Sequence, residues 1–546
     1  MKIRSDILRI YQALHTWVGI GAGMLLFIGF FAGALTMFKG PLDRWISSPA
    51  QTLQPVAQAR LDPLVRQVLE QYPAARKGFT LHLEQHENVA APLTWSGGGG
   101  REIDLSAKRW QATLDGDGKL VARQELPSLL AQLIDMLHRT GGVPGTLGDE
   151  YLGIYLMGVA GVMYFLALVS GVVLLLPTLV KDFFALRAGK NRKRFWLDAH
   201  NVVGIASLPF HVVISVTVIV FAFHDQFYDS LQEVVYGDTP MFQRGGGKPV
   251  PHAVGDMLPA TVLIAKVRQA APDFHVSEML FMGLDGPRPM IRAAVLNPRH
   301  LVHGPESAYV MLNPYSGEVT NKTMLPGHAD TWSSLVTPLF ALHFGSYGGN
   351  MMRWVYFVFG LSGAFLFYSG NLLWVEKRRK NQIRDQAPPR QTRTTLRMAS
   401  ATLGVCLGSV AGVLLTMVAG KWLYGSAANI NAAYLAVYYG VFLGAVAWAF
   451  WRGPARGAVD LLKLCALAAL AIPLTSLVAV LAPSLGLWAH TSAATLGVDL
   501  TALAGAALLL YGARLTARRV LHGPLDSVWS AAVVNPGAKR ELEAAA

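Results

Sequence analysis

His15-Thr16-Trp17-Val18-Gly19-Ile20 recurs as His200-Asn201-Val202-Val203-Gly204-Ile205, and each copy opens an apolar span directly after a basic segment. A histidine at membrane depth is costly and is by default a functional residue. Neutral imidazole is a good axial ligand for haem iron, so metal ligation is the chemistry these two residues offer. A second equivalent pair lies at the other end of the apolar spans. His138 in Leu137-His138-Arg139 precedes the break Gly141-Gly142-Val143-Pro144-Gly145, and His343 in Leu342-His343-Phe344 precedes Gly345-Ser346-Tyr347-Gly348-Gly349. His15 and His200 could take opposite faces of one haem, and His138 with His343 a second.

His211 breaks the symmetry, because Leu26 stands at its place in the first repeat. Eleven residues beyond His200 is close to three helical turns, which would put both imidazoles on one helix face roughly 16 Å apart. On that spacing His211 is an alternative to His138 or His343 at the second haem, and His224 is a weaker candidate. A single histidine near a helix end is ordinarily an interfacial, hydrogen-bonded residue. Duplication and the i, i+11 companion favour ligation for His15, His200, His211, His138 and His343, whereas for His224 alone the structural role is favoured. No Cys-x-x-Cys-His occurs, so the haem expected is b-type and held without covalent attachment. The remaining signals are weaker: His82-Leu83-Glu84-Gln85-His86 reads as a solvated strand face rather than a metal site, and Gly97 to Gly100 precede no helix that could bind a nucleotide phosphate.

The elements that must position these residues are membrane helices. The chain has 546 residues, of which 52% are hydrophobic and only 15% charged, too apolar for an ordinary soluble enzyme. Eight segments are long and apolar enough to span, about 11–38, 151–177, 198–223, 351–375, 399–420, 431–451, 459–482 and 495–513. Lys2 to Arg9, Lys181 to Arg194, Lys377 to Arg397, Arg452 with Arg456, and Arg514 to Arg519 all fall on one side, which the positive-inside rule makes cytoplasmic, with both termini. The net charge of +13 is largely explained by these segments, so it carries no expectation of nucleic-acid binding. Ala32-Gly33-Ala34 could pass for a signal-peptidase site, but the apolar stretch is longer than a signal core, so a retained helix is expected. Both cysteines, Cys406 and Cys465, fall in spans, so disulfides are not expected to hold the polar regions.

Two polar stretches, about 39–137 and 225–342, read as small α+β domains. Residues 61–73 and 258–272 each show helical periodicity ending at a proline, and Leu114-Asp115-Gly116-Asp117-Gly118-Lys119-Leu120-Val121 and Leu312-Asn313-Pro314-Tyr315-Ser316-Gly317-Glu318-Val319 are hairpin-like turns. Within the following spans Gly158-Val159-Ala160-Gly161 matches Gly360-Leu361-Ser362-Gly363. The expected fold is thus a mainly α membrane protein of about eight helices, carrying two α+β domains from an internal duplication. Its expected divisions are 1–38, first helix; 39–150, first polar domain; 151–223, helices two and three; 224–350, second polar domain; 351–398, fourth helix and basic linker; and 399–546, a C-terminal four-helix region and tail.

Over about residues 10–378 these features resemble the PepSY-associated transmembrane-helix family, which includes inner-membrane reductases of ferric siderophores of the ferrioxamine type. The resemblance rests on the His-x-x-Val-Gly-Ile starts, the Leu-His segments, the Gly-rich spans and the paired domains. It implies PepSY-like periplasmic domains, a bacterial inner-membrane location, two b haems and a ferric siderophore as acceptor, reduced to release Fe(II). Without a flavin or nicotinamide fold, the electrons would come from a cytoplasmic reductase or from membrane quinol. The rival expectation is a haem-free PepSY regulatory protein that controls a periplasmic peptidase, with the histidines structural. Residues 399–513 lie outside the resemblance, hold His490 as their one histidine, and are expected to have a structural, quinone-binding or partner-binding role.

Overall fold

The computed structural model describes residues 4–531 except 50–51, 86, 88, 90, 97–103, 184, 188–191, 239–251, 301–306 and 384–387. His86 and Gly97 to Gly100 therefore lie outside the described residues. The first apolar run forms helix α1 (Ser5–Thr36), followed by the short α2 (Lys39–Ile46) and α3 (Leu61–Gln71). Strands β1 (Gly78–His82), β2 (Leu93–Ser96), β3 (Arg109–Leu114) and β4 (Leu120–Glu125) come next, then α4 (Leu130–Thr140), which bears His138. A two-residue ladder of β5 (Thr146–Leu147) and β6 (Glu150–Tyr151) leads into α5 (Leu152–Leu175), α6 (Leu179–Asp182), α7 (Arg192–Ala206), α8 (Leu208–Ala222) and α9 (His224–Leu231).

The second polar stretch repeats the order of the first. Helix α10 (Ala260–Ala270) precedes β7 (His275–Met282), β8 (Met290–Leu296), β9 (Ala308–Leu312) and β10 (Val319–Asn321), and α11 (Thr331–Phe344) carries His343. The chain then runs through α12 (Gly349–Lys377), α13 (Arg393–Trp422), α14 (Ile430–Arg452), α15 (Pro454–Leu481) and α16 (Ala493–His522). Both histidine-bearing helices end the same way, on a glycine in the left-handed region, Gly141 at φ 61° and Gly345 at φ 60°. Any other residue would be strained there, which is why α4 stops two residues after His138 and α11 one residue after His343.

Among the described residues seven helices are long and apolar enough to cross a membrane: α1, α5, α12, α13, α14, α15 and α16. Helices α7 and α8, bent by 71° at Ser207, pass the same test together and give an eighth if the pair is one span. These coincide with the eight apolar segments of the sequence. The break was not expected, and it overturns the i, i+11 argument for His200 and His211. Pro209 lacks the N–H that would continue the ladder, and Ser207 turns its hydroxyl back onto the Val203 carbonyl at 2.6 Å. His200 and His211 consequently sit on two differently directed helices rather than on one face.

The eight longer strands make one antiparallel sheet in the order β10-β9-β8-β7-β1-β2-β3-β4. Instead of two separate sheets, the two polar stretches are joined at the centre, where β1 pairs with β7 from Gly78↔Met282 to His82↔Glu278. Phe79 and Phe281 face each other across this seam with ring centres 4.4 Å apart and planes within 9°. Helices α3 and α10 supply apolar side chains to a single core with both half-sheets, including Leu64, Val68, Leu263 and Val267. Asp62 of α3 ties them together, accepting from the Thr261 backbone N–H at 3.0 Å and from its hydroxyl at 2.6 Å. On the other side of the seam His82 hydrogen-bonds Glu278 and thereby holds its carboxyl below the usual range, while Thr94 lies 3.0 Å from the remaining nitrogen of His82. The sequence segment read as a solvated strand face is thus part of a polar seam.

By chain connectivity the two polar stretches join α1 to α5 and α8 to α12 at one end of the bundle, and the basic connections lie at the other. Phe281→Ala should remove about 3–5 kcal/mol of packing from this seam. Hydrogen exchange should then accelerate in β1 and β7 together; acceleration confined to β7 through β10 would show two independently folding halves.

Candidate functional site: two facing histidine pairs

The structure brings the four repeated histidines together as two pairs, one near each end of the bundle. At the basic end His15 of α1 faces His200 of α7, with ring centres 6.4 Å apart and planes at 89°. At the sheet end His138 of α4 faces His343 of α11, with ring centres 6.2 Å apart and planes at 37°. Gly29, against which His138 rests, lies fourteen residues beyond His15 on α1, so the pairs are separated by about 21 Å along that helix.

In every case Nδ1 is already bound to the protein. Nδ1 of His15 lies 2.8 Å from the Ala167 carbonyl, with the Ser170 hydroxyl at 3.4 Å, and Nδ1 of His138 lies 2.8 Å from the Gly29 carbonyl. A carbonyl can only accept, so these nitrogens carry the proton and Nε2 keeps its lone pair. His200 and His343 meet hydroxyls instead. Nδ1 of His200 is 2.9 Å from Ser369 Oγ, which also reaches the Leu366 carbonyl, and Nδ1 of His343 is 2.7 Å from Thr217 Oγ1, which also reaches the Val213 carbonyl. When the hydroxyl donates to its carbonyl, its oxygen accepts from the imidazole. All four imidazoles are thus oriented through Nδ1, and with the proton there Nε2 is the atom that can ligate a metal.

Glycines on neighbouring helices make the room. A Cβ on Gly33 would fall 2.6 Å from His138 Nδ1, and one on Gly171 would fall 3.1 Å from His15 Cε1. His200 Cε1 lies 3.7 Å from the corresponding position at Gly370. The dipeptides Ser170-Gly171 on α5 and Ser369-Gly370 on α12 thus occupy matching places, each serine near Nδ1 and each glycine beside the ring, although only at Gly171 would a Cβ crowd it. Neither was singled out from sequence, although the repeated Ser-Gly at matching depth was a signal that could have found them.

His211 joins neither pair. It is fully buried in a box of Phe30, Tyr164 and Phe210, with ring centres 5.7, 6.0 and 5.3 Å away, and both its nitrogens lack a hydrogen-bond partner. The expectation that it replaces His138 or His343 fails on geometry, since those two face each other and the bend at Ser207 turns His211 aside. His224 lies just past the end of α8, with Nδ1 2.8 Å from the Phe221 carbonyl and Nε2 3.2 Å from Asp225, outside both pairs.

Two imidazoles on opposite sides of one metal ion, each with a metal–nitrogen bond near 2 Å, stand with ring centres about 6.3 Å apart. Both observed spacings fit that requirement. No group of three or more His, Cys, Asp or Glu that could hold a metal occurs among the described residues, and each pair offers two imidazoles as donors. Such a set suits an ion whose other positions are supplied by a macrocycle, as in haem.

A family model described as the PepSY-associated TM region matches residues 12–377. The chain belongs to that family. All four paired histidines lie inside the matched region, as do Ser170, Thr217 and Ser369, whereas α13 to α16 lie outside it. No curated protein matches the chain significantly.

Neutral tautomers with the proton on Nδ1 are expected for His15 and His138. ¹⁵N spectra of histidine-labelled protein should show Nδ1 protonated and Nε2 unprotonated on both; the opposite tautomer at either would contradict the ligand orientation derived above.

Proposed function

We propose that this protein is an inner-membrane oxidoreductase, a ferric-siderophore reductase carrying two b-type haems. The observation that carries the reading is the facing of two histidine pairs, each with Nδ1 anchored and ring centres 6.2–6.4 Å apart. His15 and His200 would hold one haem and His138 and His343 the other. Each haem, when bound, supplies a one-electron Fe(III)/Fe(II) couple.

The chain's own residues do the rest. Ala167, Ser369, Gly29 and Thr217 fix the imidazole orientations, and Gly33 and Gly171 let the helices close around them. Phe30, Tyr164, Phe210 and Phe367 pack between the pairs and exclude water from the bundle centre. The electron source in this reading is a cytoplasmic reductase or membrane quinol.

The same reading puts the basic connections and both termini in the cytoplasm and the sheet in the periplasm. The palindromic order of strands about the β1/β7 seam supports two PepSY-like domains derived by duplication. A ferric siderophore docking at this end would accept one electron per iron, and the chelator would release the more weakly held Fe(II). The acceptor class rests on the family resemblance in the sequence.

Protein purified after expression with adequate haem supply should show a Soret band and two b haems per chain by pyridine haemochrome. His15→Ala and His343→Ala should each remove about one of them. Haem-free protein, or substitutions that leave haem content unchanged, would reject the reading in favour of a PepSY regulatory protein with structural histidines. Reduced protein carrying haem should be reoxidised by a ferric siderophore with formation of Fe(II), and failure of that step would remove the acceptor assignment alone.

A further inference from the structure

The two histidine-bearing helices of the sheet end are equivalent in the repeat, but they are held by different means. Helix α11 is held from within the family region: Asp330 caps its start by accepting from the Ser333 N–H at 2.6 Å, and Tyr356 of α12 donates to the Leu342 carbonyl at 2.6 Å. Helix α4 has no side-chain cap of its own from Leu129, the residue that opens it. Its start is supplied by Ser128, which accepts from the Leu130 N–H at 3.4 Å, and by α14, outside the family region. Asn431 accepts from the Leu129 N–H at 2.9 Å and donates to the Pro127 carbonyl at 3.0 Å, while Tyr434 Oη lies 3.0 Å from Ser128 Oγ.

The other end of α4 is gripped by the same helix. Tyr439 donates to the carbonyl of Gly142 at 3.0 Å, just past the left-handed Gly141 that ends α4. Between these two ends Leu130, Ile134 and Leu137 bury their side chains with Met417, Tyr434 and Tyr438. Leu137 immediately precedes His138, so the covered face of α4 adjoins the face that presents the imidazole. A second anchor lies beside it. Lys421 of α13 is buried over the Trp45 ring at 3.7 Å, and the Trp45 indole donates to Asp499 of α16 at 3.0 Å, which fastens α2. Lys421 and Asp499 are ionisable groups inside the C-terminal region whose packing sequence reading did not anticipate.

We infer that the C-terminal four-helix region is a positioning clamp for His138, with Asn431 and Tyr439 of α14 as its positioning residues at the two ends of α4. Asn431 and Tyr439 set the orientation of one ligand of the sheet-end pair and make no hydrogen bond to His15 or His200; at the basic end the C-terminal region meets α12 instead, where Arg519 pairs with Glu376 at 2.8 Å. The electronic consequence of the clamp rests on the haem reading proposed above; its mechanical part does not.

The test uses the full-length protein with Asn431→Ala and Tyr439→Phe, singly and together. Hydrogen exchange of residues 130–142 should rise roughly fivefold, the effect of losing one helix cap, while residues 331–344 stay unchanged. In the low-spin electron paramagnetic resonance spectrum, with the two haem signals assigned by His138→Ala and His15→Ala, the sheet-end signal should shift or broaden and the basic-end signal should not move. Unchanged exchange in 130–142, equal acceleration in 331–344, or equal change in both haem signals would overturn the inference. If the purified chain carries no haem, the proposed function falls, and the exchange of 130–142 against 331–344 decides the clamp by itself. Tyr439→Phe removes only a hydroxyl, so it serves as the readable variant where Asn431→Ala does not fold.

Discussion

A buried imidazole has one nitrogen too many for an apolar bundle. Neutral histidine carries one donor and one acceptor, and each must find a partner or cost free energy at membrane depth. In this protein the fold answers only half of that demand at each of four sites, binding Nδ1 to Ala167, Gly29, Ser369 or Thr217 and leaving Nε2 for something else. Much of the bundle's local design follows from it. Glycines stand beside the rings, serine or threonine hydroxyls meet Nδ1 of His200 and His343, and the histidines face one another in twos rather than dispersing to separate partners.

The polar region obeys the same pairing. Its strand order is a palindrome about the β1/β7 seam, and α4 and α11, which follow the two halves, deliver His138 and His343 to one place. Joining two four-stranded halves edge to edge removes two exposed sheet edges, which would otherwise be sites for unwanted pairing. It also makes one core out of what could have been two small, marginal ones. Rigid coupling of the halves therefore contributes to the spacing of the sheet-end pair, because each histidine is carried by a different half.

Symmetry is broken in two places, and both concern what is buried. His211 has no counterpart and sits unpartnered in an aromatic box, held by shape alone. The C-terminal region meets the two halves differently, bringing Lys421, Asp499, Asn431 and Tyr439 against α2 and α4 of the first and Arg519 against Glu376 of α12 in the second. Buried polar groups of this kind are worth little unless fully paired, and when paired they specify one arrangement of neighbouring helices.

Sequence by itself determined the apolar segments that become the seven or eight candidate membrane helices, the clustering of basic residues in alternate connections, the repeat and the four histidines, because hydrophobic length, charge and a recurring hexapeptide are all local signals. It also contained the glycines that end α4 and α11, since left-handed backbone selects that residue wherever it occurs. Tertiary structure alone decided that the histidines face in pairs, that Ser170, Thr217 and Ser369 hold them, and that the two polar stretches share a sheet. Each of these depends on contacts between residues more than a hundred positions apart. The bend at Ser207 shows the limit most plainly: Pro209 was visible in the chain, but only the packed bundle shows how far it turns His211 away from His200, because a proline permits a bend whose size neighbouring helices set.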